Sequence, residues 1–242
     1  MQNLDNERQE KLYASGKYLE NSPDWSEGES GEKSKGAAAL LKSVGLNQLT
    51  SILDVGCGTG GLLEGLLDYD LGIKRALGID MAMDAIRLGK SLRKSNIIEL
   101  RTASLADINE KFDLVIASHV VEHVPEYRQF LNDLSERGKY IYINIPIEIN
   151  VLYALRSNVL DHQFHTYGHL HFYTERFFDA FVIANGFKIK ARGYGTEIRA
   201  QSKNGLSGFV IYIMRECIGL FSKPLATRLL GGFTYQLIIE RT

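Results

Sequence analysis

Leu53-Asp54-Val55-Gly56-Cys57-Gly58-Thr59-Gly60 is the stretch that decides the fold. A short apolar run, Ser51 to Val55, enters it as a strand, and a leucine-rich run, Gly61 to Leu67, leaves it as a helix. Three glycines at alternate positions therefore sit where a strand turns into a helix. With no side chains in the way, such a turn passes close to a nucleoside or amino-acid-like ligand. Twenty residues beyond Gly60 stands Asp80, closing the next apolar run, Arg75 to Asp80. A carboxylate at the end of a second strand can accept hydrogen bonds from both hydroxyls of a ribose.

The alternation continues outward from this centre. Ala82 to Leu92 carries apolar residues at helical spacing, and Ile97–Arg101, Asp113–Ser118 and Lys139–Ile145 read as strands, the last two separated by a helix from Pro125 to about Glu136. Thr174 caps a helix that stops at Asn185-Gly186, and Phe187–Tyr194 and Phe233–Glu240 give a sixth and a seventh strand. Upstream, Glu32 to about Gly45 forms a helix with a small-residue face. This βαβ rhythm predicts an α/β, Rossmann-like sheet of seven strands, mostly parallel, with helices on both faces. Residues 1–31 are polar and aperiodic, which predicts a flexible arm ahead of one domain, 32–242.

Composition narrows the function classes. Hydrophobic residues make up 45% and charged residues 24%, so the chain is neither disordered nor collagen-like. A formal net charge of -1 lacks the basic footprint that nucleic-acid binding rewards, and no nucleic-acid partner is expected. Two cysteines, Cys57 and Cys217, are too few for a disulfide framework and fit a reducing cytoplasm. The acidic residues of the first ten positions exclude a secretory signal there. The most apolar stretch, Gly208 to Phe221, is broken by Arg215 and Glu216 and falls short of a membrane span.

The glycine loop admits other readings. The glycines could simply make a tight turn, with Asp80 capping the helix after it. Gly56, Gly58 and Gly61 also satisfy the G-x-G-x-x-G dinucleotide pattern, which spacing alone cannot separate from the first reading. The one Tyr-x-x-x-Lys pair, Tyr13 with Lys17, precedes the loop, which argues against a short-chain dehydrogenase.

Asp54 to Gly60 resembles motif I of the class I S-adenosylmethionine-dependent methyltransferases, with Asp80 as the ribose-binding acid. Phe112 to His123 is similar to their fourth-strand motif, and Gly168-His-Leu-His-Phe-Tyr-Thr174 to a segment before their last helix, as in the ubiquinone-type O-methyltransferases. The resemblance covers about Lys35 to Tyr194 and implies that Phe233–Glu240 is an antiparallel last strand. It implies S-adenosylmethionine as cofactor, with Asp54, Gly56, Cys57, Gly58 and Gly60 along its methionine and ribose parts and Met81 packed on the adenine. It also implies that Ser104 and Leu105 approach the adenine, and that Ser118 and His119 flank the sulfonium. Many relatives carry an aspartate near Ala103 or Ser104 for the adenine amino group; here only serine stands there.

Methyl transfer to oxygen or nitrogen asks the protein for alignment and, for a hydroxyl or amine acceptor, for removal of a proton. Histidine suits that task. His119 and His123, four apart after the fourth strand, are expected on one face of a helical turn, with His123 as base or positioning group and Glu122 as its orienting partner; a packing role for His123 stays open. The same residues spell H-x-x-E-H, a zinc-peptidase pattern, which Pro125 would cut short. A second cluster, His162, His165, His169 and His171 beside Asp161, lies on what reads as a polar loop. His165, Tyr167, His169, His171 and Tyr173 are the candidate acceptor-pocket residues, and no metal ligand is assigned.

Between the last two strands, residues 205–231 read as a helical insertion whose apolar stripe includes Phe209, Val210, Ile213, Met214 and Phe221 before Pro224 breaks it. Core packing, a homodimer contact, a lid and a helix lying on a membrane surface all remain open for it. The sequence thus predicts an S-adenosylmethionine-dependent methyltransferase acting on a small-molecule, glycan or lipid-linked acceptor, with oxygen preferred. The alternatives are a noncatalytic cofactor-binding protein and a metal-dependent hydrolase using residues 119–123.

Overall fold

The computed structural model describes residues 27–156, 158–196 and 205–242. Its strands are β1 (Ser51–Val55), β2 (Arg75–Asp80), β3 (Ile98–Thr102), β4 (Phe112–Ser118), β5 (Gly138–Pro146), β6 (Phe187–Gly195) and β7 (Thr234–Arg241). They form one sheet in the order β3-β2-β1-β4-β5-β7-β6. β1 to β5 pair in parallel, and β7 runs antiparallel between β5 and β6. The central strands are apolar almost without interruption because helices cover both faces, so neither set of alternating side chains meets water.

The helices are α1 (Ser30–Ser43), α2 (Gly61–Leu67), α3 (Met83–Leu92), α4 (Tyr127–Arg137), α5 (Val151–Ala154), α6 (Val159–His162), α7 (Glu175–Ala184), α8 (Gly205–Phe221) and α9 (Lys223–Leu230). Ala37 and Leu41 of α1 and Leu63 and Leu66 of α2 pack one face of the sheet, against Ile52, Ile116 and Ile238. Leu131 and Leu134 of α4 and Phe178 and Val182 of α7 pack the other, against Leu53, Val115 and Leu237. Ile52 and Leu53 are neighbours in sequence and lie in opposite cores, as the pleat of a strand requires.

Several boundaries differ from the sequence reading. Glu27 to Gly31, expected in the flexible arm, form a 3-10 turn and the start of α1; residues 1–26, with Tyr13 and Lys17, lie outside the described residues. α4 begins at Tyr127 instead of Pro125, because Glu126 takes a non-helical conformation (φ -100°, ψ 59°) and stands as its N-cap. The histidine-rich segment is not a plain loop: Asn150 caps α5 by accepting from the Tyr153 N–H at 2.9 Å, and α6 runs on into a π-turn over Gln163–Tyr167. In residues 205–231 the break falls at Ser222, which caps α9. Pro224 sits in that helix's first turn, where its missing N–H costs nothing. No helix among the described residues is long and apolar enough to cross a membrane.

Candidate active site

The sheet order reverses direction at β1: the chain moves outward to β2 and β3, then returns to place β4 on the other side. Ligands of open α/β sheets bind at such a switch point, beyond the carboxyl ends of the strands. Two connections meet here, the glycine loop after β1 and Ser118–His123 after β4. Their contact is tight, since a Cβ on Gly56 would lie 2.5 Å from Val120 Cγ2.

Gly56, Gly58 and Gly60 all take positive φ (72°, 55° and 80°), which is why side-chain-bearing residues are absent at these three places. The loop is anchored by the Ile79 carbonyl, which accepts from the N–H groups of Gly56 and Cys57. Cys57, expected among the cofactor contacts, turns its thiol inward against Gly78, so only its backbone faces the loop. Asp80 accepts from the Gly58 N–H at 2.9 Å and from the Ala82 N–H at 2.8 Å. Burial raises the Asp80 pKa, and those amides partly offset it.

Asp54 lies beneath the same loop and is 2% exposed. Burial first, and the Asp80 charge second, push its carboxyl up to about 8. Two buried acids that repel one another suit a ligand that brings positive charge and hydroxyl donors. At the edge beyond β2, Met81 is 61% exposed, free to cover a flat ring. Ser104 donates its hydroxyl to Asp107 Oδ2 at 2.7 Å, and its N–H donates to the same oxygen at 2.8 Å, next to the buried Leu105. Asp107 escaped the sequence reading; it holds the Ser104 hydroxyl so that its oxygen can still accept.

Across the crevice, His119 takes φ +57°, the one non-glycine residue with positive φ among those described. That bend sets it apart from the 3-10 turn Val121–His123, so His119 and His123 do not share a helix face as expected, and the zinc-peptidase geometry is not formed. The Glu122 side chain is fully buried, with His119 Nδ1 3.5 Å from its Oε1. The orienting partner of His123 is not Glu122 but the Gly168 carbonyl, 3.2 Å from His123 Nδ1. A carbonyl only accepts, so Nδ1 carries the proton and Nε2 the lone pair. Burial lowers the His123 pKa to about 4, against the pull of Glu122, and leaves the ring neutral. Ser118 Oγ accepts from Asn144 Nδ2 at 3.3 Å.

The Glu122 backbone carbonyl accepts from the N–H groups of Leu170 and His171, which brings the histidine segment to this turn. His169 then lies edge-on to His123, ring centroids 4.9 Å apart, with its Nδ1 2.8 Å from Glu148 Oε2. Tyr167 is next to His169, its centroid 6.2 Å away. The other candidates separate from the group. His165 is exposed and pairs with Asp161. His171 bonds the Val124 carbonyl through Nε2 and packs on Tyr127. Tyr173 is 1% exposed, a core residue against Phe178 and Tyr127. Glu148 was not singled out in the sequence, where the only signal was an acid two residues past Pro146, at a strand's carboxyl end; Gly168 was named only as the first residue of the segment before the last helix.

Fold and site together define the class I methyltransferase architecture. Residues 25–191 match the family model described as "Methyltransferase domain". The chain belongs to this family of S-adenosylmethionine-dependent methyltransferases. It is 36% identical over 86 residues to the ubiquinone biosynthesis O-methyltransferase of Bartonella tribocorum, covering 34% of each chain. Ribosomal protein L11 methyltransferase of Desulfotalea psychrophila is 36% identical over 72 residues, 28% of this chain and 23% of that one. The chain thus spans about a third, or less, of the length of these curated relatives. Magnesium protoporphyrin IX methyltransferase from Synechocystis PCC 6803, solved with bound SAH, superposes with a TM-score of 0.58 at 16% identity, covering 88% of this chain and 84% of the other.

Proposed function

We propose that this chain transfers the methyl group of S-adenosylmethionine to an oxygen of a small-molecule, glycan or lipid-linked acceptor. The observation that carries the reading is the pair of buried carboxyls, Asp54 and Asp80, around a glycine loop held in left-handed conformation, facing a neutral imidazole across the crevice. Asp80 would hold the ribose, its two oxygens still offering lone pairs beyond the bonds from Gly58 and Ala82. Asp54 would compensate positive charge on the methionine part, with Met81, Ser104 and Leu105 at the adenine and Ser118 with His119 at the sulfonium. When bound, the cofactor supplies an electrophilic methyl group. The Nε2 lone pair of His123 is the group placed to draw the proton from an acceptor hydroxyl.

An apolar acceptor body is supported by exposed apolar side chains on α5 and α8. Burial, and next the Glu148 charge, raise the pKa of Tyr153 in α5, with Arg215 of α8 pulling the other way. Phe209, Val210, Ile213 and Met214 of α8, with Val151 and Leu155, leave apolar side chains exposed. Free thiols at Cys57 and Cys217 favour a reducing, cytoplasmic setting.

Titration with S-adenosylmethionine and its demethylated product, with NAD in parallel, tests the cofactor. Micromolar binding of the sulfonium compounds that is lost in Asp80→Ala is expected, and preference for NAD would overturn the reading. With an acceptor in hand, His123→Ala should spare cofactor binding and lower kcat; unchanged kcat would remove His123 from the mechanism.

A further inference from the structure

We propose that Glu122, His123 and His169 form a binding site for a single divalent transition-series cation, of the Zn2+ or Co2+ type, at the acceptor side of the crevice. Among the described residues these three each bring one ligand atom within 4.8 Å of the other two. A cation holds its nitrogen and oxygen ligands at about 2.0–2.2 Å, hence about 3–3.5 Å from one another, so an ångström of side-chain adjustment completes the cage.

Three features separate this group from an ordinary polar cluster. First, Glu122 is completely buried, and the groups acting on its charge are histidines: His119, with Nδ1 3.5 Å from Oε1, then His123 and His169. Burying a carboxylate costs several kcal/mol unless positive charge compensates it. Second, each imidazole has its other nitrogen engaged. His123 Nδ1 donates to the Gly168 carbonyl, and His169 Nδ1 faces the Glu148 carboxylate. Both arrangements place the lone pair on Nε2, and a carboxylate behind a ligating histidine is the usual outer support of such sites. Third, the three come from two segments that the backbone bonds of the Glu122 carbonyl tie together, so the donor set is built before any ion arrives.

Two nitrogens and a carboxylate suit borderline cations, and three protein ligands leave a coordination position open. This refines the role given to His123 and rests on the methyl-transfer reading for its purpose. An acceptor hydroxyl in the open position would lose its proton to water more readily, and the resulting oxygen anion would form the new O–C bond as the S–C bond of the methyl donor breaks.

The site is tested on the full chain without any acceptor. Protein stripped with chelator and titrated with Co2+ should bind one ion per chain, with visible d–d absorption that Zn2+ abolishes by displacement. His169→Ala should lose this binding, with retained melting temperature and retained affinity for S-adenosylhomocysteine as the controls for folding. Should that variant fail to fold, Glu148→Gln decides, with an expected loss of about 10–100-fold in Co2+ affinity. No Co2+ bound by the parent at millimolar concentration, or unchanged affinity in the folded variants, would overturn the proposal. The two readings fail separately: a chain that binds Co2+ but no S-adenosylmethionine keeps the metal site and loses methyl transfer, and the converse result does the opposite.

Discussion

The Asp80 carboxylate accepts a hydrogen bond from the Gly58 N–H at 2.9 Å, so the acid expected to hold the ribose also fixes the glycine loop it faces. One residue thereby shapes the turn and supplies the ligand contact. A hydrogen bond to a charged group contributes about 1.5–3 kcal/mol, roughly 10–150-fold in affinity for each bond lost. Asp80→Ala should therefore weaken S-adenosylmethionine binding by at least tenfold. Asp80→Asn keeps one carbonyl acceptor and should fall between the two. Calorimetric affinities that match the parent in both variants would show that the ribose is held elsewhere.

Asp54 gives the site a pH dependence. Its folded-state pKa, raised to about 8, lies far above that of an unfolded aspartate, about 3.9. The folded chain therefore binds more protons than the unfolded one between those values. Stability should fall as pH rises from about 4 to 8, by at most about 1.4 kcal/mol per unit, and level off above. Cofactor affinity should move the other way, because a cation prefers the ionised carboxyl: binding should strengthen toward pH 8 and release protons below it. Calorimetry at pH 7 in buffers of different ionisation enthalpy reads that release directly. Asp54→Asn should abolish it, and a parent protein that releases none would show that Asp54 is already ionised.

Much of this was legible because the signals were local. The glycine loop, the acid twenty residues on and the strand-helix alternation each depend on neighbours in sequence, and the structure places them as expected. The histidines were less legible because their roles depend on pairings between distant segments. Gly168 reaches His123, Glu148 reaches His169, and neither partner can be found by spacing. His119 was misjudged for a local reason: a left-handed residue after β4 breaks the helical phase that four-residue spacing assumes.

The glycines can be ranked by what a methyl group would meet. At Gly56 it meets Val120 Cγ2 at 2.5 Å, on the partner loop of the crevice; at Gly45, with a similar φ of +76°, it meets nothing within 4 Å. Left-handed backbone alone costs an alanine about 1–2 kcal/mol. Gly45→Ala should therefore lower the melting temperature by a few degrees, at about 2–4 °C per kcal/mol for a chain of this size, and leave cofactor affinity unchanged. Gly56→Ala should cost more, since Val120 must move, and should also weaken binding. Equal effects of the two on S-adenosylmethionine affinity would contradict the placement of the crevice.

Tyr173 separates the acceptor pocket from the core. The sequence offered it as a pocket wall, whereas the structure buries it among Phe178, Tyr127 and His171, with no hydrogen-bond partner for its hydroxyl among the described residues. Burial raises its pKa well above the usual phenol range. A buried hydroxyl without a partner costs about 1–3 kcal/mol, so deleting it should not harm the fold. Tyr173→Phe should melt at or above the parent temperature with unchanged KM for the acceptor. Tyr173→Ala should lose about 3–5 kcal/mol through the cavity it leaves, read by denaturant unfolding. A raised acceptor KM in Tyr173→Phe at parental stability would return this residue to the pocket.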